Sequence, residues 1–209
     1  MKEEKYRVYG YRFVVLGVFM LINAAIQILW ICFAPITGPA AEYYGVSEMS
    51  IGFLAMSFMF VYIPISMPVS WVIDKLGYHK SVSIGTLIMA VFGLLRGLLS
   101  ANFSFVLVST IGLAIAQPFM MNSISTVAAK WFPMKERATV GGLATIASFL
   151  GIAIGEVVSP ILFLRYGIHT MLMIYGVISL VSAVLFVTFN REAPPDRKST
   201  RLNSSHRIR

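Results

Sequence analysis

Four polar side chains stand where a purely apolar helix has no use for them: Asn23, Gln27 and Trp30 within LINAAIQILW, and Gln117 within AIAQPFM. Spacings of four and three put the first three on a single helical stripe. An amide surrounded by hydrocarbon is unfavourable until it meets a partner. That partner is either a solute in a lined path or a neighbouring helix, with Trp30 an interfacial anchor in the second case. Gln117, followed by Pro118, lies at a similar central depth, so these four form the candidate solute-binding set. Tyr62 is a fifth candidate, because Pro64 and Pro68 beside it free backbone carbonyls that either serve a cavity or simply bend the helix. Asn122 lies on a different helical face from Gln117 and falls outside the set.

Two charges, Arg96 and Glu156, interrupt otherwise apolar runs. An ionised side chain at the bilayer centre costs roughly 2.5 to 3.5 kcal/mol. Measured from the basic residues that begin their runs, both lie in the outer part of the membrane, about 24 to 29 Å along a helix of 1.5 Å rise. They are the candidate coupling pair. Arg96 either pairs with Glu156 or snorkels to the outer surface, and Glu156, as a buried carboxyl, could carry a proton or neutralise a cationic solute. The stretch WVIDKLGYHK collects Asp74, Lys75, Gly77 and Lys80 in one short break. Asp74 closes a helix at its negative end, where a carboxylate is unfavourable, so it should find a partner elsewhere. Gly77 can take the left-handed conformation that lets the chain turn back. A plain tight turn with cationic flanks would use the same residues.

The histidines, His79, His169 and His206, sit in separate breaks or in the tail, and Cys32 is alone. That pattern excludes a Ser/His/Asp or HExxH centre, a disulfide framework and a metal cluster, so neither catalysis nor a cofactor is expected.

The elements that must position these residues follow from composition. With 57% hydrophobic and 12% charged residues and a mean hydropathy of +0.79, too little polar sequence remains to cover a water-exposed surface. A helical crossing needs about 20 apolar residues. Six runs meet that length, near Phe13 to Ile36, Ile51 to Ile73, Ser81 to Leu99, Phe103 to Ala129, Ala138 to Leu164 and Thr170 to Phe189. They are too long and too uniformly apolar for membrane strands, and the first is too long for a cleaved signal. The reading is an all-α membrane protein of six transmembrane helices, with residues 1–193 forming one bundle. Cations gather before the first run, in alternate breaks and after the last, which places both termini in the cytoplasm. That distribution accounts for the formal net charge of +8 without nucleic acid as a partner. Residues 194–209 read as a disordered cytoplasmic tail. Their KSTRLNSSH also resembles translated sequencing-adapter read-through, which would make the tail a sequencing artefact and the native chain longer.

The spacing Asp74-Lys75-Leu76-Gly77-Tyr78-His79-Lys80, between the second and third runs, resembles the loop signature of the major facilitator superfamily, with Ser70 where the family usually carries glycine. Trp131-Phe132-Pro133-Met134-Lys135-Glu136-Arg137 is a second family-like stretch, in the next cytoplasmic break. Gly142, Gly151 and Gly155 repeat the spacing of a glycine-rich family helix, Glu156 standing where its proline would follow; GxxxG lets helices approach closely and slide. Within the superfamily, INAAIQ, FVYIPISMPVSWVIDKLG, IAQPF, KWF and LGIAIG are similar, in order, to the feline leukemia virus subgroup C receptor branch, associated with choline, ethanolamine or haem. Gln27 stands where that branch has tryptophan, and Ser148-Phe149 where it has asparagine-glutamine.

The resemblance implies one half of a twelve-helix fold, a second six-helix half absent from this chain, a small-molecule solute and a plasma-membrane address among lipid. Asp74, Lys75, Gly77, Lys80, Glu136 and Arg137 would then help to hold the halves together in one access state, and Gly142, Gly151 and Gly155 would pack helices. The expected function is a secondary transporter working by alternating access. The alternatives are a six-helix receptor or scaffold that transports nothing, and a half-size carrier acting as a homodimer.

Overall fold

In the computed structural model of the chain, residues 10–194 are described. The tail expected at 194–209 lies outside them save for Pro194, as do Lys2, Lys5 and Arg7. Seven α-helices follow one another: α1 Arg12–Ile31, α2 Thr37–Tyr44, α3 Glu48–Leu76, α4 Tyr78–Leu98, α5 Phe103–Met121, α6 Ile124–Trp131 and α7 Arg137–Phe189, with single 3-10 turns at Ala34–Ile36 and Met134–Glu136.

Local sequence explains the breaks. Ser47 caps α3 by accepting from the Ser50 amide at 3.2 Å, and Asn102 caps α5 by accepting from Ser104 N at 2.9 Å, each satisfying a donor left orphaned at a helix start. Gly77 turns α3 into α4 at φ 87°. The outer break read as GPAAEYYGVSEMS is largely helical instead, since α2 resumes the path of α1 after one turn of tighter helix. The fourth run is likewise split: α5 stops at Met121, four residues after Gln117, and α6 restarts at Ile124.

Among the described residues, five helical stretches are long and apolar enough to cross a membrane: Arg12–Tyr44, Glu48–Leu76, Tyr78–Leu98, Phe103–Trp131 and Met134–Phe189. The last contains both the fifth and the sixth runs. Its helix α7 is broken at Gly167, whose φ of 78° and ψ of 171° are not helical and suit a residue without Cβ. Two limbs result, residues 137–166 and 168–189. Ser159 and Tyr175, eight residues to either side of the break, share a hydrogen bond of 2.8 Å between their hydroxyls, so the limbs fold back side by side.

Helices in lipid gain little from hiding apolar surface, so close contact between backbones does the holding. A Cβ on Gly151 would land on the Ala24 carbonyl, and one on Gly155 would strike Ile31. These two glycines seat the first limb of α7 on α1. The second limb seats on α4, where a Cβ on Gly176 would come 2.7 Å from the Gly93 carbonyl oxygen and one on Gly97 2.9 Å from Met173 Cα. Gly142 differs from the packing role expected of it: its side is exposed and a Cβ there would meet nothing within 4 Å. It lies on the opposite side of α7 from the buried stripe of Val140, Ala144, Ala147 and Gly151.

Candidate functional site

A cavity of about 390 Å³ opens on one face of the bundle between α1, α3, α5, the start of α6 and the first limb of α7. Gln27 and Trp30 reach it from α1, Tyr62 from α3, Gln117 from α5, and Thr145 and Ser148 from α7, while Phe58, Met59, Met121 and Phe149 supply apolar wall. No Asp, Glu, Lys, Arg or His among the described residues lines it.

Four of the five candidate solute ligands therefore share one wall. Gln27 is buried, with 5% exposure; its Nε2 reaches Met121 Sδ at 3.7 Å, and its Oε1 has no hydrogen-bond partner. Trp30 Nε1 donates to the Ala55 carbonyl at 3.1 Å, which fixes the indole against α3. Gln117 makes no hydrogen bond to another described residue and turns toward the cavity. Asn23 sits apart: fully buried in the bundle, it donates to the Phe19 carbonyl one turn back at 2.8 Å, with Oδ1 unpartnered.

Tyr62 brings with it a residue that helical-face reasoning excluded. Its hydroxyl donates to Asn122 Oδ1 at 2.8 Å, and Asn122 Nδ2 lies 3.0 Å from both the carbonyl and the hydroxyl of Ser66 and 2.9 Å from Ser70 Oγ. Tyr62, Ser66 and Ser70 recur every fourth residue, a polar stripe along α3 legible in the sequence. Asn122, its N–H still bonded to the Pro118 carbonyl at 3.0 Å, is absent from the cavity wall, and the face it occupies, different from that of Gln117, is the one that meets α3.

Arg96 corrects both readings offered for it. It neither snorkels nor pairs with Glu156. With 1% exposure, its guanidinium donates to the Leu29 carbonyl at 2.9 Å, reaches Cys32 Sγ at 3.5 Å and lies over the Phe33 ring. Leu29 belongs to the last turn of α1, whose carbonyls lose their helical donors where the helix stops. A cation there also meets the negative end of the helix dipole. Glu156 is half-buried on the first limb of α7 and forms no ion pair or hydrogen bond with another described residue.

At the end of the bundle where α3 turns into α4, the break residues divide. Asp74 and Lys80 are exposed, and Asp74 has no partner among the described residues; Lys75 lies 3.9 Å over the Trp71 ring. Gly77 is crowded by Glu192, whose carboxylate accepts from the amides of Tyr78 at 3.2 Å and His79 at 2.6 Å and pairs with Lys130. An acid at the start of α4 answers both the free amides and the dipole. Nothing in the local sequence marks Glu192, which follows the last apolar run. Glu136 pairs with Arg12 at 2.7 Å, and Arg137 donates to the Phe132 and Ala129 carbonyls at 3.2 Å each, closing the end of α6.

With this geometry in place, likenesses to known proteins gain meaning. The Major Facilitator Superfamily profile matches residues 9–207. Solute carrier family 49 member A3 of Danio rerio is 29% identical over 209 residues, covering 96% of this chain and 44% of its own. The choline/ethanolamine transporter FLVCR2 of Homo sapiens is 29% identical over 193 residues, covering 88% of this chain and 37% of its own. A bacterial homolog of the human lysosomal transporter Spinster, in an inward-facing and unoccupied conformation, matches in structure with a TM-score of 0.75 at 21% identity, over 90% of this chain and 45% of that one. The chain thus spans less than half the length of these relatives.

Proposed function

The chain belongs to the Major Facilitator Superfamily, as a multi-pass integral membrane protein, and from that premise we propose that it supplies the amino-terminal six-helix half of a secondary transporter. In this reading α7 counts as two crossings: about 80 Å of helix at 1.5 Å per residue is more than twice the hydrocarbon thickness, and the hairpin at Gly167 supports the division. An even count returns both termini to the cytoplasm. The second half would face the open cavity and supply the partner that Asp74 lacks, and the two halves would rock about the solute. The membrane is the plasma membrane in this proposal.

The observation that carries it is the cavity, where amides of α1 and α5 converge beside the aromatic faces of Trp30, Phe58, Tyr62 and Phe149. Two under-bonded amides and several aromatic rings suit a small organic solute that is neutral or cationic, a cation being drawn to the electron-rich faces of rings. Choline and ethanolamine, which name FLVCR2, are the first solutes to try.

Uptake of labelled choline and ethanolamine into cells expressing the full-length protein tests the reading. Gln117→Ala and Gln27→Ala should each reduce uptake at least tenfold at unchanged surface expression; normal uptake by both variants removes these residues from the path. Reconstituted vesicles in which no solute moves would favour a receptor or scaffold. Glu156→Gln should weaken the dependence of uptake on pH, and an unaltered pH profile removes its coupling role. Orientation is checked by labelling intact cells: a cysteine at exposed Met49 should react from outside, and one at exposed Lys80 should not.

A further inference from the structure

Among the buried polar atoms without a partner are two acceptors one helical turn apart on α1, Asn23 Oδ1 and Gln27 Oε1. Such groups give up hydration and receive nothing in return. Only one contact holds the Gln27 amide, from Nε2 to the Met121 sulfur at 3.7 Å, and a thioether is a weak acceptor. The last torsion of a glutamine side chain is broad. Turning the amide therefore gives up little.

We propose that Gln27 selects the solute by its N–H groups. The amide turns so that Nε2 leaves Met121 and donates to Asn23 Oδ1, four residues back on the same stripe, while Oε1 swings into the cavity and accepts from the solute. One rotation then satisfies both orphaned acceptors. The donor belongs to an ammonium that keeps at least one N–H, because the rings of Trp30, Phe58, Tyr62 and Phe149 favour a cation and no acidic side chain among the described residues lines the cavity to take its place. A fully methylated ammonium offers no N–H and leaves the turned carbonyl bare. A site built to accept a hydrogen bond rejects the analogue that lacks the donor far more strongly than it rejects one of slightly different size. Asn23 acts here as a positioning residue, outside the cavity yet holding the amide that reads the solute.

This inference rests on the transport reading, and binding and uptake measured together tell their failures apart. Purified full-length protein is titrated calorimetrically with ethanolamine, N-methylethanolamine, N,N-dimethylethanolamine and choline, a series that keeps the hydroxyl and removes N–H groups one at a time. Choline should bind at least tenfold more weakly than N,N-dimethylethanolamine. Gln27→Leu should bring the two within about twofold of each other, Gln27→Glu should keep the preference, and Asn23→Leu should reduce it without abolishing binding. Equal binding of choline and N,N-dimethylethanolamine by the wild type overturns the proposal even where uptake is intact. A preference for N–H without uptake sustains it and removes the transport reading instead. No binding by any member overturns the proposal, and uptake of another small solute would then keep the transport reading.

Discussion

The end of the bundle that holds Glu192 and the cavity wall differ in how their polar groups are tied, although Asp74 and His79 Nε2 at that end have no hydrogen-bond partner among the described residues and Trp30 and Tyr62 on the wall do. Below, Arg12, Glu136, Arg137 and Glu192 each have a partner within hydrogen-bonding reach. The segment that follows α7 crosses under the bundle and gathers more: Tyr11 donates to the Phe189 carbonyl at 2.6 Å, Trp131 to the Arg191 carbonyl at 3.2 Å, and Arg191 stacks over Tyr11. Along the cavity, Gln27 is held by one weak contact and Gln117 by none from another described residue. Committed groups fix helices relative to one another; under-bonded ones remain ready for an incoming solute. In the proposed function, the first set holds the bundle and the second is left for the solute.

The severest challenge to this division is at the seam between α1 and α7, which stands behind the cavity wall. Gly151→Leu, which drives a side chain into the Ala24 backbone, is expected to abolish monodisperse protein in fluorescence-detected size exclusion. Next in size is the removal of the charge beneath α4. Glu192→Gln should lower the melting temperature by several degrees, the loss of an acid at a helix start being worth about 0.3 to 2 kcal/mol, while solute affinity stays within twofold; a change in affinity with no change in melting would reverse the assignment of the two regions. A smaller effect is expected where the regions meet. Tyr62→Phe and Asn122→Leu each weaken the tie between α3 and the break after α5, and a double-mutant cycle on melting should return a coupling of about 0.6 kcal/mol, with 1.7 as the upper end for such bonds in membranes. Additive effects would mean that the bond contributes nothing. Smallest of all, Gly142→Ala should leave uptake unaltered and raise the melting temperature slightly, since its Cβ meets open space and alanine favours the helix by up to about 1 kcal/mol.

How far the site could be read in advance depended on the kind of residue. Gln27, Trp30 and Gln117 were legible as polar side chains in apolar helices, a mismatch visible one residue at a time. Tyr62 was legible only as a neighbour of prolines, and Asn122, set aside for its helical face, lies off the cavity wall; its bond to Tyr62 depends on how α3 and α5 pack, which no local pattern shows. Arg96 was expected to pair with Glu156 or to seek water; the end of α1 gives it a carbonyl and a dipole inside the bundle instead. Glu192 carried no local signal, since the amides it caps begin more than a hundred residues earlier.

By itself, the order of residues determined the solvent of this chain, the helical class and the apolar runs, because hydropathy is additive along a segment and needs no knowledge of neighbours. The tertiary structure alone decided which amides share a cavity, why Gly151 serves packing and Gly142 does not, and where Arg96 and Glu192 find partners. Those outcomes depend on pairs of positions far apart in the chain, and only the crossing of particular helices at particular depths brings such pairs within bonding distance.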